Sequence, residues 1–339
     1  MTTLPASQPA FATSAAPRLS SLRDPLVIGT ICGLLAAVGY TATNVCLRHV
    51  ATQNPFWVCC LRALPTIVLF GPWLLVRKSR GERIWPRWQV IGVLIFGGIT
   101  SQLIGNILFQ WSLHIVGLAM AVPLCLSTLI CGSAILGRLF LKEPITPRVA
   151  ISLLMLVGAI AILSLGATTA HSSVKASLEP SSTEPLDLWH VAAGVSAAVL
   201  SGVFFACLGV SIRYGVTNQA SPTTTMFTVG LVGVVGLGTI TLTQLGISGI
   251  LATPGTDLLT MLAAGMFNAV SFLAMTKALQ LTNVAYAYAL NATQATMGVV
   301  AGVLYFGEAS TPWLGLGVGL TIAGLLYMSR RQSPATSRA

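Results

Sequence analysis

Charged residues are scarce in this sequence. Only 8% of its 339 residues are Asp, Glu, Lys or Arg, against about a quarter in an ordinary soluble domain. Hydrophobic residues make up 54%, and the mean hydropathy is +0.83. This composition excludes an ordinary soluble protein and predicts an all-α polytopic membrane protein. The net charge of +10 does not indicate a nucleic-acid partner, because the basic residues lie in short loops and tails rather than in an aromatic-rich patch.

Motifs for catalysis and metal binding are also missing. The seven cysteines form no CxxC pair, and the four histidines form no HExxH motif. No GxSxG sequence and no glycine-rich phosphate loop occurs. We therefore expect a protein that is not an enzyme and that has no cofactor and no metal site.

Acidic residues are the rarest charged group, and none of the eight lies in the middle of an apolar stretch. A proton-coupled exporter of cations would need a buried carboxylate that exchanges protons against its cargo. The sequence therefore favours a facilitator, an exchanger, or coupling through a less obvious group.

Long apolar runs dominate what is present. A bilayer core about 30 Å thick is crossed by roughly 20 helical residues. On this criterion ten transmembrane helices are predicted, at residues 27–47, 56–76, 90–113, 118–141, 148–166, 191–212, 223–245, 258–279, 284–306 and 312–328. Pro65, Pro72 and Pro123 fall within the second and fourth of these and predict kinks there.

One segment of the chain occurs twice. Residues 139–147 (LFLKEPITP) correspond to residues 304–312 (LYFGEASTP), and Glu143 and Glu308 are 165 residues apart. Arg48 and Arg213, each at the end of an apolar helix, have the same separation. A period of this length indicates duplication of a five-helix unit. Because five is odd, the second unit enters the membrane from the opposite side, which gives an inverted repeat.

The repeat and the charges together predict the domain organisation. The first five-helix repeat spans residues 27–166 and the second spans 190–328, joined by a flexible extracytoplasmic linker at 167–189. We expect residues 1–26 to form a disordered N-terminal tail and residues 329–339 a C-terminal tail. With both tails in the cytoplasm, 15 of the 18 basic residues lie on the cytoplasmic side, so the positive-inside rule favours this orientation.

Uncharged polar residues inside the spans are the candidates for solute binding. Such groups are costly in a bilayer and usually face a bundle interior or a wet cavity. Amides and phenols both donate and accept hydrogen bonds, which suits a zwitterionic or polyhydroxyl solute; the alternative is that they join helices. The candidates are Tyr40, Asn44, Gln102, Asn106, Asn268, Tyr288, Asn291 and Gln294.

Four charged residues near helix ends have two possible roles each. For Arg62 and Lys277, the sequence favours side chains that extend to the membrane interface, with contact to an anionic solute as the alternative. Glu143 and Glu308 precede prolines that begin helices, which favours capping or turn stabilisation rather than proton transfer.

Small residues form three GxxxG pairs, which allow close helix packing. Packing within the bundle is expected, and dimerisation through the last helix is the alternative, so the protein is expected to be a monomer or a weak homodimer. The pairs are Gly29 with Gly33, Gly298 with Gly302, and Gly315 with Gly319.

The doubled segment resembles the EamA-type, ten-helix members of the drug/metabolite transporter superfamily. In that family each half ends with a helix, a short turn of the aromatic/aliphatic-x-Gly-Glu-x-x-x-Pro type and a closing helix. Residues 139–147 and 304–312 resemble this pattern, except that the first copy has Lys142 where the second has the more typical Gly307. Arg62 in CLRA and Lys277 in TKAL also resemble family positions. The resemblance covers residues 27–328 and implies a cavity lined mainly by helices one, three, four, six, eight and nine.

The resemblance also implies a function. The expected activity is secondary transport of a small polar metabolite, such as amino acid export, by alternating access around a cavity at the membrane midplane. The expected location is a bacterial inner membrane, with the small-molecule substrate and the lipid bilayer as partners and no nucleic acid. Carriers of phosphorylated sugars or nucleotide sugars, and a non-transporting membrane sensor with the same fold, are the alternatives.

Overall fold

A computed structural model describes residues 25–82, 84–142, 146–178, 188–282, 284–291 and 293–329. Within these ranges the regular secondary structure is entirely helical, which confirms the predicted all-α class. The tails predicted at 1–26 and 329–339 lie almost wholly outside the described residues. Glu143 also lies outside them.

The first half of the chain contains five spans. The third of them is interrupted by a π-helical segment, Ile99–Gly105, and runs without a break in helicity from Trp88 to Val116. The helices are α1 (Pro25–His49), α2 (Pro55–Ser79), α3 (Trp88–Gly98), α4 (Asn106–Val116), α5 (Leu118–Phe140) and α6 (Pro147–Leu165).

The second half repeats this order after one additional helix, α7. The fourth span of this half, which is the ninth of the chain, consists of two helices, and residue 292 between them lies outside the described part. The helices are α7 (Ala167–Leu178), α8 (Leu188–Thr217), α9 (Pro222–Leu251), α10 (Gly255–Leu281), α11 (Val284–Asn291), α12 (Thr293–Phe306) and α13 (Pro312–Ser329).

Eight of the described helical stretches are long and apolar enough to cross a membrane, and α12 and α13 are shorter apolar helices. Polar caps followed by proline begin several of them. The Asn54 side chain accepts hydrogen bonds from the Phe56 and Trp57 amides at 3.0 and 3.3 Å, and Pro55 occupies the first turn of α2. The observed helices begin within a few residues of the predicted starts of the spans.

The predicted flexible linker is wrong for its first half. Residues 167–178 form α7, which packs against α4 and α8. Val174 is buried, and the His171 Nδ1 atom lies 2.9 Å from the Ile115 carbonyl oxygen. A Ser/Thr/Ala-rich composition does not indicate order, but these tertiary contacts stabilise the helix. The remainder of the linker, residues 179–187, lies outside the described residues.

Helix contacts follow the predicted pseudo-twofold symmetry. The second spans of the two halves, α2 and α9, pack on each other, and so do the fifth spans, α6 and α13. The first span of one half packs on the third span of the other: α1 contacts α10, and α8 contacts α3, α4 and the π-helical segment. This exchange of partners is what a pseudo-twofold relation between the two halves produces.

Helix α5 lies at the centre of the bundle. It is the most buried span, and it packs against α8 and α12. Large apolar side chains on the outer helices point away from the bundle instead, such as Leu154 of α6 and Leu304 of α12. This distribution is expected for a protein whose outer surface contacts lipid.

Two of the three GxxxG pairs pack inside the bundle, as predicted. A Cβ atom at Gly33 would approach Leu290 to 2.9 Å, and one at Gly302 would approach Ala119 to 2.8 Å. Gly315 and Gly319 of α13 have no atom within 4 Å of such a position. The expectation of a monomer or weak homodimer stays a prediction.

Candidate functional site

A cavity of about 140 Å³ lies within the bundle, between side chains of both repeats. Its polar lining comes from α1, α2, the third span, α10, α11 and α12. The polar residues are Tyr40, Thr43, Asn44, Arg62, Ser101, Gln102, Asn106, Asn268, Asn291 and Gln294.

The remainder of the lining is apolar and comes mainly from α5, α8 and α10. Phe109 and Phe205 meet edge to face there, with ring centroids 6.3 Å apart. The apolar residues are Phe109, Val122, Cys125, Leu126, Leu129, Phe205, Leu208, Ile212, Phe272, Met275 and Leu279. The cavity therefore offers both hydrogen-bonding groups and an apolar surface.

Seven of the eight predicted solute contacts line this one cavity. They are Tyr40, Asn44, Gln102, Asn106, Asn268, Asn291 and Gln294. Tyr288 belongs to α11, but its side chain lies outside the described part of the structure. The structure thus brings the predicted residues together, while their contact with a solute stays a prediction.

The π-helical segment determines which amides of the third span face the cavity. At its end the Asn106 amide donates to the Ser101 carbonyl, five residues earlier. The Asn106 side-chain amide also donates to the Gln102 side-chain oxygen. Gln110, one turn further on, is directed elsewhere and donates to the Leu47 carbonyl of α1 at 3.1 Å. A π segment changes the rotation of the residues around it, so three amides at helical spacing do not share one role.

Arg62 does not extend to the membrane interface, so the favoured prediction for this residue is wrong. Its side chain lines the cavity, and the residue is only 7% exposed. Within the part of the chain that the structure describes, the guanidinium makes no ion pair and no hydrogen bond. Arginine stays charged in proteins, so the cavity wall carries a positive charge that these residues do not neutralise.

Lys277 lies outside the cavity lining. Its side chain is exposed, and its Nζ atom donates to Gln280 Oε1 at 2.9 Å. The structure therefore agrees with the favoured interpretation of Lys277 as a residue directed outward. Arg62 and Lys277, paired in the sequence as possible anion contacts, are separated by the fold.

Asn291 contributes an acceptor without a donor. The residue is 3% exposed, and its Oδ1 atom is buried without a hydrogen-bond partner. Buried polar groups in folded proteins almost always have a partner, and an unsatisfied one is costly. The Oδ1 atom has almost no accessible surface, so other atoms of Asn291 make its contact with the cavity.

A second polar cluster joins the repeats near the end of α1. Glu308 Oε1 accepts hydrogen bonds from Arg48 Nε and from the Leu118 amide, both at 2.8 Å, and Oε2 accepts from the Ala119 amide at 2.7 Å. The carboxylate thus caps the start of α5. Helix capping was predicted for Glu308, but the capped helix belongs to the other repeat.

Arg213 occupies the position in the second repeat that Arg48 occupies in the first. Its Nη1 atom donates to the Leu279 and Thr282 carbonyls at 2.7 and 3.3 Å, at the end of α10. Arg48 thus binds a side chain of the opposite half, whereas Arg213 binds the end of a span in its own half. Among the described residues, no group of three His, Cys, Asp or Glu side chains could hold a metal ion.

The apolar half of the cavity is the part that the sequence analysis missed. Leu126 and Leu208 belong to apolar runs in which residues facing lipid, protein and cavity have the same composition. Thr43 and Ser101 were missed because small hydroxyl residues are common in packed transmembrane helices. No sequence signal distinguishes these residues from their neighbours.

The fold defines a multi-pass integral membrane protein built from two repeats, with a cavity that side chains of both repeats line. Residues 27–165 and 192–330 each match the EamA-like transporter family, so the chain belongs to that family. This agrees with membership of the drug/metabolite transporter superfamily, a superfamily of membrane transporters.

Solved structures show the same fold. One crystal structure matches with a TM-score of 0.61 at 16% sequence identity, over 90% of this chain and 98% of the other. At this identity the likeness extends to the fold alone. No curated protein matches this chain.

Proposed function

We propose that this protein is a secondary carrier that moves a small polar, amino-acid-like metabolite across a membrane by alternating access. The observation that carries the proposal is a cavity on which polar side chains of both repeats converge. A site at the interface of inverted repeats becomes accessible from either side when one repeat rotates against the other. The solute would bind the amides that line this cavity.

The cluster around Glu308 supports the alternating-access part of the proposal. Its hydrogen bonds connect α1 and α5 of the first repeat to the segment between α12 and α13 of the second. Rotation that opens this end of the bundle would break them. Because these hydrogen bonds join the two repeats at one end of the bundle, they would stabilise a state in which the carrier is closed on that side.

A carrier of phosphorylated sugars or nucleotide sugars is the alternative within the same class. A phosphate monoester carries about −1.5 to −2 charges at neutral pH. Arg62 is the one cationic side chain among the residues that line the described cavity. One arginine matches a single carboxylate better than a phosphate, which favours the amino-acid-like solute.

We place the carrier in a bacterial inner membrane with both termini in the cytoplasm, and we propose export as its direction. The positive-inside distribution of the basic residues supports the orientation. The described cavity also offers no Asp or Glu as an acid or base, and this arrangement supports transport rather than catalysis.

Counterflow in proteoliposomes tests the proposed function. Vesicles loaded with unlabelled amino acids are diluted into labelled ones, and parallel vesicles are loaded with phosphorylated and nucleotide sugars. We expect transient accumulation of a labelled amino acid, absent from protein-free vesicles. Accumulation of a sugar phosphate instead supports the alternative, and silence on every panel with folded protein supports a non-transporting sensor.

A further inference from the structure

Positive charge is concentrated in one segment of the chain, residues 77–88, which joins the end of α2 to the start of α3. Five of the 18 basic residues lie in this basic segment, against one acidic residue. That acidic residue, Glu82, is already paired with Arg77 at 2.6 Å. Three further cations of the segment are exposed and pair with no described carboxylate: Lys78, Arg80 and Arg87.

Tertiary contacts hold the basic segment over the start of α9. Ile84 is buried, and its carbonyl oxygen accepts a hydrogen bond from Thr224 Oγ1 at 2.8 Å. The first turn of α9 therefore lies against the segment, and its amide groups add partial positive charge at the same place. Charges on a loop that is already held in position lose less conformational entropy when they bind a ligand.

Next to the basic segment, α2 and α3 flank an apolar groove on the outer surface of α9. Gly71 of α2 faces Phe227 of α9, and α2 makes few contacts with α3. Gly98 of α3 faces Val232, on another side of the same helix. By helical periodicity, the face of α9 between these two contacts contains two apolar residues that are both exposed, Leu231 and Val235.

Tryptophan side chains lie where the groove meets the basic segment. Trp85 is 49% exposed and Trp88 is 79% exposed, and exposed tryptophan is enriched at the level of the lipid headgroups. Gly92 and Ile99 follow Trp88 on the same face of α3. A Cβ atom at Gly92 would have no atom within 4 Å, so this side of α3 is open to an acyl chain.

From these observations we infer that the basic segment and the groove together bind an anionic phospholipid. Lys78, Arg80 and Arg87 contact the headgroup phosphate, and an acyl chain lies along the exposed face of α9. A soluble phosphate would use only the cations, and a zwitterionic phospholipid carries no net charge to match them. An anionic lipid matches both parts of the surface. The inference goes beyond the proposed function, because it holds for any solute that the carrier moves.

Lipid titration of the full-length protein tests this inference. The protein is delipidated in a nonionic detergent and unfolded thermally with phosphatidylglycerol or with phosphatidylcholine of the same acyl chains. Glycerophosphoglycerol supplies the same anionic headgroup without chains. We expect phosphatidylglycerol to stabilise the protein at concentrations about 10- to 100-fold below those of phosphatidylcholine, and the free headgroup to have no effect. Native mass spectrometry should show phosphatidylglycerol retained on the protein.

Two double variants of equal charge locate the site. Arg80→Gln/Arg87→Gln removes two cations from the basic segment and is expected to reduce the preference for phosphatidylglycerol at least about fivefold. Arg138→Gln/Lys277→Gln removes two exposed cations from the ends of α5 and α10. As the second, fourth and eighth spans, α2, α5 and α10 end on the same side of the membrane. The control is therefore expected to behave as the wild type.

Several results would overturn the inference. Equal stabilisation by the two phospholipids, or by neither, would show that the headgroup charge is not recognised. Equal losses in the two double variants would assign the preference to the overall positive charge of that side of the protein. Stabilisation by the free headgroup as strong as that by the lipid would indicate a phosphate site without the groove. Counterflow is not part of this test, so failure of the carrier proposal leaves its outcome unchanged.

Discussion

Arg48 and Glu308 form a buried ion pair between the two repeats, with 2.8 Å between Nε and Oε1. Arg48 is 1% exposed, and its guanidinium carbon lies 5.5 Å from the centre of the Phe306 ring. The same carboxylate caps α5, so one side chain connects the end of α1, the start of α5 and the turn before α13. Losing the charge of Glu308 therefore affects three elements at once.

We expect Glu308→Gln to destabilise the protein by about 3–5 kcal/mol, because it leaves the Arg48 charge buried without a partner. Thermal unfolding of purified protein in detergent measures the effect. The double variant Arg48→Met/Glu308→Gln is expected to recover part of the loss, since it removes the uncompensated charge. The exposed pair Arg77–Glu82 is the control, and Glu82→Gln there is expected to cost about 0–1 kcal/mol. Equal losses in both pairs would contradict this account.

The hydrogen bonds around Glu308 require a glycine at position 117. Its φ is +77°, and a Cβ atom there would lie 2.5 Å from Glu308 Oε1 and 2.7 Å from Val174. We expect Gly117→Ala to destabilise the protein by at least about 1–3 kcal/mol. Gly92→Ala is the matched control, because Gly92 lies inside α3 with no atom within 4 Å of the new methyl group. Measured melting temperatures should fall for Gly117→Ala and stay level or rise for Gly92→Ala.

Substitutions at Asn106 and Gln110 distinguish a role in solute binding from a role in helix packing. Asn106 lines the cavity, so Asn106→Leu is expected to reduce apparent affinity in counterflow about fivefold, the effect of one hydrogen bond. Its abundance in the membrane should be unchanged. Gln110 instead binds the Leu47 carbonyl, so Gln110→Leu is expected to lower thermal stability with little change in affinity. Wild-type kinetics in a folded Asn106→Leu protein would assign Asn106 to packing alone.

The charge of Arg62 predicts exchange rather than net flux. Closing an empty cavity around an unneutralised guanidinium is costly, whereas closing around a bound carboxylate is not. Efflux from loaded proteoliposomes should therefore be about tenfold faster into buffer that contains the solute than into buffer without it. Arg62→Gln is expected to reduce this ratio towards one. Equal efflux under both conditions in the wild type would contradict the prediction.

Span positions and the repeat could be predicted from sequence. Apolar runs of membrane-crossing length and the separation of Glu143 from Glu308 are local or periodic features, readable without knowledge of helix contacts. The polar lining was also predictable in large part, because amides such as Asn44 and Asn268 are rarely placed in contact with lipid. Both the span positions and the polar lining are predictable because a polar group in hydrocarbon is costly.

Order in residues 167–178 was not predictable, since α7 depends on its contacts with α4 and α8. The orientation of Arg62 was not predictable either. A residue two turns into a transmembrane helix can extend to the interface or face inward, and the rotation of α2 against α9 and α10 decides between them. Composition contains no information about that rotation.

The amino-acid sequence is sufficient to predict the class of protein, the ten spans, the inverted repeat and most of the polar residues that line the cavity. Helix packing in three dimensions establishes that Glu308 caps α5, that Gln110 binds α1 instead of lining the cavity, and that leucines of α5 and α8 form the apolar wall of the cavity. The reason is physical: hydropathy and periodicity follow from each helix alone, whereas these contacts follow from the rotation and packing of helices against one another.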